Sequence, residues 1–179
     1  MKSHASTSSG RHDSERDVLL ATKIAIPRIR PDLLPRSHLM SRLEEATTHE
    51  LVLVSTPAGF GKTTLLASWA QSTEKSVAWL SLDRDDDDPA RFWRYVVAAV
   101  GSLRRGIGES ALSLLNASAQ PTPKAVVTAL VNELAANRDE FVLVLDDYHR
   151  IESSSVHEDL AFLLERLPSG MHMVISSRS

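Results

Sequence analysis

The stretch that most constrains this chain is Thr56-Pro57-Ala58-Gly59-Phe60-Gly61-Lys62-Thr63-Thr64. An apolar run, Leu51-Val52-Leu53-Val54, precedes it, and Leu65, Leu66, Trp69 and Ala70 follow at helical spacing. Strand, glycine loop and helix in that order form the setting in which a phosphate-binding loop works. Gly59 and Gly61 lack a Cβ, so the backbone can bend there and turn N–H groups toward an anion. The helix that opens at the same point directs its positive end there. Lys62 supplies a mobile ammonium for the outer phosphates of a nucleotide. Thr63 offers a hydroxyl to Mg²⁺, which keeps several waters and takes few protein ligands. Pro57, Ala58, Gly59, Phe60, Gly61 and Thr64 join Lys62 and Thr63 as the nucleotide-binding set. The full pattern G-x-x-x-x-G-K-[ST] has glycine where this chain has Thr56. A β-branched residue disfavours positive φ, so the loop is expected to begin along an extended path.

The second chemical feature lies about 80 residues on, a separation compatible with one α/β unit. Phe141-Val142-Leu143-Val144-Leu145 reads as a buried strand and ends in Asp146-Asp147. Carboxylates delivered at the C-terminal end of a parallel strand stand at the ligand edge of the sheet. There Asp146 can hold Mg²⁺, and Asp147 can orient or deprotonate an attacking water. His149 follows the pair and could line the same site; a surface histidine is the favoured reading. Arg178, at the tip of the last strand, either reaches a γ-phosphate or is solvated; position alone leaves both open.

The remaining chain supplies an alternating frame. Met1 to about Arg16 is polar and reads as disordered. From Val18 to Pro35, Pro27, Pro31 and Pro35 favour an extended arm. Arg28, Arg30 and Arg36 in that arm read as solvated, and Ser37 as the cap of a short helix through Leu39, Met40, Leu43 and Ala46. Leu51–Ser55 shows no alternation, which suits a parallel strand covered on both faces. Ser76–Leu82 is a second strand. It runs into Asp83-Arg84-Asp85-Asp86-Asp87-Asp88, read as an exposed loop whose Asp88 caps the next helix with Pro89 in first position. A cation site is the alternative there, but the glycine and alternating spacing of a Ca²⁺ loop are absent. Phe92, Trp93, Val96, Val97, Val100 and Leu103 give that helix its buried stripe. Gly106 to Pro121 reads as irregular, with one turn around Leu112–Leu115. Thr122 and Pro123 open a further helix. Ser155-Val156-His157-Glu158 fits a capping box for a helix through Leu167, and Met171–Ser176 is the fourth strand.

Alternating strands and helices define an α/β class with a parallel sheet. The expected division is a tail over 1–17, a proline-bearing arm with a short helix over 18–48, and a core over 49–179. The 179 residues carry a net charge of −3, so a nucleic-acid surface is not indicated. No cysteine is present, which excludes disulfides and thiolate metal sites. No apolar run approaches the ~18 residues of a membrane span, and a soluble, cytoplasmic protein is expected.

Ala58-Gly59-Phe60-Gly61-Lys62-Thr63-Thr64-Leu65, Trp79-Leu80-Ser81-Leu82-Asp83, Arg91-Phe92-Trp93-Arg94-Tyr95, Leu145-Asp146-Asp147-Tyr148-His149 and Ser176-Ser177-Arg178 together resemble the ATPase region of MalT-like regulators. These are large ATP-binding transcription activators of the LuxR group, within the STAND class of P-loop NTPases. The resemblance runs from Leu19 to the last residue and tolerates Thr56. It implies the three-layer P-loop NTPase fold, with ATP and ADP as the nucleotides and Mg²⁺ as the metal. Hydrolysis would reset a switch. Lys62 and Thr63 would be the phosphate and Mg²⁺ ligands, Asp146 the Mg²⁺-side acid, Asp147 the water-activating acid and Arg178 a γ-phosphate sensor. Arg36 would lie by the adenine, and Asp83 would stand near the site.

The resemblance further implies a sheet order of 5-1-4-3-2 and self-association of the full regulator, with DNA bound through a C-terminal domain. On that basis this chain is expected to be a fragment truncated after its fourth strand, with its first strand as an open edge. A regulatory switch, a non-hydrolysing interaction domain and a small P-loop kinase all remain compatible with the motifs. No arginine-rich lid favours the kinase, and no [NT]-K-x-D sequence indicates guanine.

Overall fold

A computed structural model describes residues 19–30, 36–117, 122–137 and 139–178. The expectations for the tail and for Pro31 and Pro35 lie outside them. The described elements run α1 (Ser37–Ala46), β1 (Leu51–Ser55), α2 (Lys62–Ser72), β2 (Ser76–Ser81), α3 (Pro89–Gly101), α4 (Glu109–Leu115), α5 (Pro123–Ala136), β3 (Phe141–Asp146), α6 (Ser154–Leu164) and β4 (Met171–Ser177). The strands form a parallel sheet in the order β1-β4-β3-β2. This is the expected order, and it puts the ends of β1, β3 and β4 side by side.

Helices cover both faces of the sheet. On one face, Leu43 of α1 and Leu66, Ala67 and Trp69 of α2 pack on Val142, Val144 and Val174. On the other, α3 to α6 pack on Ala78, Leu80, Leu143, Leu145, Met173 and Ile175. Phe92, Trp93, Val96, Val97 and Val100 form the buried stripe of α3, and each fully buried side chain of this size contributes roughly 1.5–3 kcal/mol. Asp88 caps α3 by accepting from the Arg91 amide at 2.8 Å, with Pro89 in its first turn. Where one turn was expected after Gly106, α4 forms two. Glu133 on α5 accepts from the amides of Gly108 and Ser110, satisfying the start of α4 from a neighbouring helix.

Four local expectations are corrected. β1 is not covered on both faces. Val52 and Val54 pack beneath α2, but Leu51 and Leu53, in register with Met173 and Ile175, are 37% and 67% exposed. Sequence hydrophobicity is the same for a central and an edge strand, so it could not tell them apart. α6 has no capping box at Ser155. It begins at Ser154 after Ser153, and Asp87 Oδ1 accepts both the Glu152 and Ser153 amides at 2.7 Å. Ser37 is the first residue of α1 and not its cap.

The acidic run is the fourth correction. Asp86 is fully buried and pairs with Lys23, itself 7% exposed, across 63 positions of sequence. Lys23 lies in a 3-10 turn (Ala21–Lys23), sits 4.5 Å above the Tyr95 ring, and also reaches Asp83 at 2.9 Å. Asp86 accepts from the Asp83 amide at 2.9 Å, and Arg91 Nε stands 3.5 Å from it. These carboxylates, read as solvated, instead pin the N-terminal arm to the end of β2. A buried charge is tolerated when it is paired and hydrogen-bonded in this way.

Candidate nucleotide-binding site

Thr56 has an ordinary backbone; Asp147 is the non-glycine residue with positive φ among the described residues. The bending falls to Gly59 and Gly61, at φ +84° and +77°. Gly61 is the residue before α2, so the helix N-terminus opens directly from the loop. Lys62 Nζ donates to the loop's own carbonyls, Thr56 at 2.8 Å and Pro57 at 3.3 Å. Thr63 Oγ1 donates to Asp146 Oδ2 at 2.7 Å, joining loop and β3 across 83 positions.

A cleft of about 220 Å³ opens here, lined by Ala58, Gly59, Gly61, Lys62, Thr63, Asp147 and Arg178. The geometry therefore brings together most of the residues singled out from sequence. Asp146 lies beneath the cleft, 2% exposed, and meets it through Thr63. Pro57, Phe60 and Thr64 do not line it, and the Phe60 ring is 60% exposed. Arg36 is not merely solvated. Its guanidinium donates to the Phe60 carbonyl at 2.9 Å and lies against Gly61, where an added Cβ would stand 3.7 Å from it. It braces the outside of the loop and does not line the cleft. Asp83, expected near the site, is drawn to Lys23 and the Asp85 amide instead.

At the tip of β3, Asp147 adopts φ +60°, a left-handed conformation that costs a residue with a Cβ about 1 kcal/mol. The turn rotates the Asp147 side chain out of the sheet and toward the cleft. His149 is not at the surface. Its side chain is 17% exposed, with Nδ1 3.8 Å from Asp147 Oδ1. Burial, opposed by Asp147 and assisted by Arg178, Arg150 and Lys62, holds its pKa below the ordinary histidine value, which favours the neutral ring. The neighbouring Tyr148 hydroxyl is pushed up to about 12 by burial and bonds His157 at 2.7 Å.

The donor set suits Mg²⁺ bound together with phosphate. Thr63 and Asp146 offer two hard oxygens in contact. No group of three or more His, Asp or Glu that could hold a metal unaided occurs among the described residues. A small cation with few protein ligands and several from water and phosphate is what such a pair accommodates.

A parallel sheet of this order, with a glycine loop feeding a helix from its first strand and paired acids ending its third, defines a P-loop nucleoside triphosphatase fold. The chain belongs to the AAA ATPase domain family, whose model matches residues 35–176. It is 31% identical over 160 residues to the HTH-type transcriptional regulator MalT of Vibrio cholerae, covering 89% of this chain. It is 32% identical over 162 residues to the regulator of the same name from Cronobacter sakazakii, covering 90%. The chain spans 18% of the length of each relative. Two solved structures share the fold. A chain of the Drosophila ORC structure bound to AT-rich DNA and Cdc6 gives a TM-score of 0.55 at 11% identity, over 80% of this chain and 46% of that one. Cdc6p from Pyrobaculum aerophilum gives 0.53 at 13% identity, over 87% and 41%. No helix among the described residues is long and apolar enough to cross a membrane.

Proposed function

We propose that this chain is an ATP- and Mg²⁺-binding switch module of a signal-responsive transcription regulator, reset by slow ATP hydrolysis. The observation that carries the reading is the convergence of Lys62, Thr63, Asp147 and Arg178 on one cleft at a helix N-terminus. On nucleotide binding, Lys62 exchanges the Thr56 and Pro57 carbonyls for phosphate oxygens. The loop amides and Arg178 balance the remaining phosphate charge. Thr63 and Asp146 hold Mg²⁺, which neutralises charge on the phosphates. Asp147 accepts a proton from the attacking water, and His149 stands beside it. The regulatory role draws on the likeness to MalT, as does self-association of the larger protein. The net charge of −3 does not point to a DNA surface on this chain, and we place DNA contact elsewhere in such a regulator. A second reading, a non-hydrolysing interaction domain, draws on the exposed Leu51 and Leu53 edge.

Equilibrium binding of ATP and ADP with Mg²⁺ tests the reading. Removing a charge-assisted contact of ~1.5–3 kcal/mol, Lys62→Ala weakens ATP roughly ten- to a hundred-fold. Asp147→Ala retains ATP and loses phosphate release. A well-folded native chain that binds neither nucleotide overturns the reading; one that binds ATP and releases phosphate no faster than Asp147→Ala leaves the interaction domain in its place.

A further inference from the structure

β3 and β4 part company at the cleft. Their pairing ends at Leu145 opposite Ile175, while β4 continues beside β1 through Ser176 opposite Val54 and Ser177 opposite Ser55. The Asp147 amide therefore has no ladder partner from β4. The Ser176 hydroxyl takes that place, accepting from Asp147 N at 3.0 Å. The same hydroxyl donates to Asp146 Oδ1. Ser176 is fully buried. A hydroxyl has one proton to give and two lone pairs. Here the proton goes to one acid and a lone pair to the amide of the next. That amide belongs to the residue in the left-handed conformation, which persists only where its surroundings over-determine it. The Asp146 carboxylate is thereby held from two sides, by Thr63 on Oδ2 and Ser176 on Oδ1. Arg178 lies two residues further on, just past the end of β4, and lines the cleft.

We propose that Ser176 is the positioning residue of the site: its hydroxyl ties the Asp146 carboxylate to the Asp147 amide and fixes the turn that aims the Asp147 carboxylate into the cleft. The effect on turnover rests on the hydrolytic reading above, whereas the effect on the β3 tip does not. The Asp147 backbone amide reports the tip directly. In Ser176→Ala its hydrogen exchange accelerates at least about tenfold while the Leu143 and Val144 amides keep their protection. Phosphate release falls about 10- to 100-fold, with ATP affinity within a few-fold of native. Ser176→Thr, which retains the hydroxyl, recovers most of both. On an Asp147→Ala background, Ser176→Ala causes no further loss of turnover, because the residue acts through Asp147.

Unchanged exchange at Asp147 in Ser176→Ala overturns the proposal, whether or not the chain hydrolyses ATP. So does turnover within twofold of native, or a parallel loss of binding and turnover that Ser176→Thr fails to recover. A native chain that binds ATP without releasing phosphate removes the hydrolytic reading alone, and the exchange comparison still decides the role of Ser176.

Discussion

Replacing Asp86 with alanine tests whether the acidic run is a structural anchor. Asp86 is fully buried, and its removal takes from Lys23 its buried partner and from the Asp83 amide its acceptor. Breaking a buried pair by removing one member costs ~3–5 kcal/mol, because the other charge stays behind. Asp83 remains 2.9 Å from Lys23, but its side chain is 53% exposed, so it offsets only part of that loss. The expected loss is therefore at the lower end, about 3 kcal/mol. For a domain of this size that lowers the thermal midpoint by roughly 6–12 °C. It is a large share of the ~5–15 kcal/mol that holds such a domain together. The assay is urea unfolding followed by far-UV circular dichroism, with a thermal scan in parallel. The double variant Lys23→Met/Asp86→Leu removes both charges together and recovers most of the loss. A loss below about 1 kcal/mol for Asp86→Ala, the range of exposed ion pairs, would refute the anchoring argument.

Three further outcomes follow from other parts of the fold. Gly108→Ala places a Cβ at φ +86° and 2.7 Å from Val97 Cγ1, so it destabilises by more than ~1 kcal/mol, read as a lower urea midpoint. Asp159 is 5% exposed, and burial raises its pKa above the ordinary carboxylate value. A carboxyl whose folded pKa exceeds its unfolded one destabilises the fold at pH above both, and the penalty disappears as pH falls through the folded value. Asp159→Asn accordingly raises the thermal midpoint at pH 7, with a gain that shrinks on acidification; equal gains at pH 7 and pH 4 would contradict this. Leu53→Lys charges the open edge of β1 and lowers concentration-dependent association in sedimentation velocity with little change in melting, and undiminished association would clear that edge of the role.

Much of the frame was legible because its signals are local. Val96, Val97 and Val100 mark a helix face by spacing alone, and Asp88-Pro89 marks where that helix starts. Gly61-Lys62-Thr63 announced its loop because the strand before it and the helix after it are contiguous in sequence. The wrong readings share a cause. Leu53 and Leu143 look alike in hydrophobic pattern, which read β1 as covered on both faces; the strand order that the family resemblance implied, and that the sheet shows, puts one at an edge and the other at the centre. Asp86 looks like its neighbours in a charged run, and no spacing rule ties it to Lys23. His149 sits one residue beyond a tyrosine in a polar stretch. Its burial beside Asp147 depends on how the chain turns after β3.

The sequence by itself determined the phosphate loop, the paired acids, the starts of α3 and α5 and the alternation of elements, since each depends on residues within a few positions of one another. Tertiary structure alone decided which carboxylate is buried and which hydroxyl ties the Asp146 carboxylate to the Asp147 amide. Those properties belong to pairs such as Lys23 with Asp86, 63 positions apart, and Asp147 with Ser176, 29 apart. The physical reason is that burial and hydrogen-bond partnership are set by what packs across the sheet, and a residue's chemistry does not specify which distant neighbour will satisfy it.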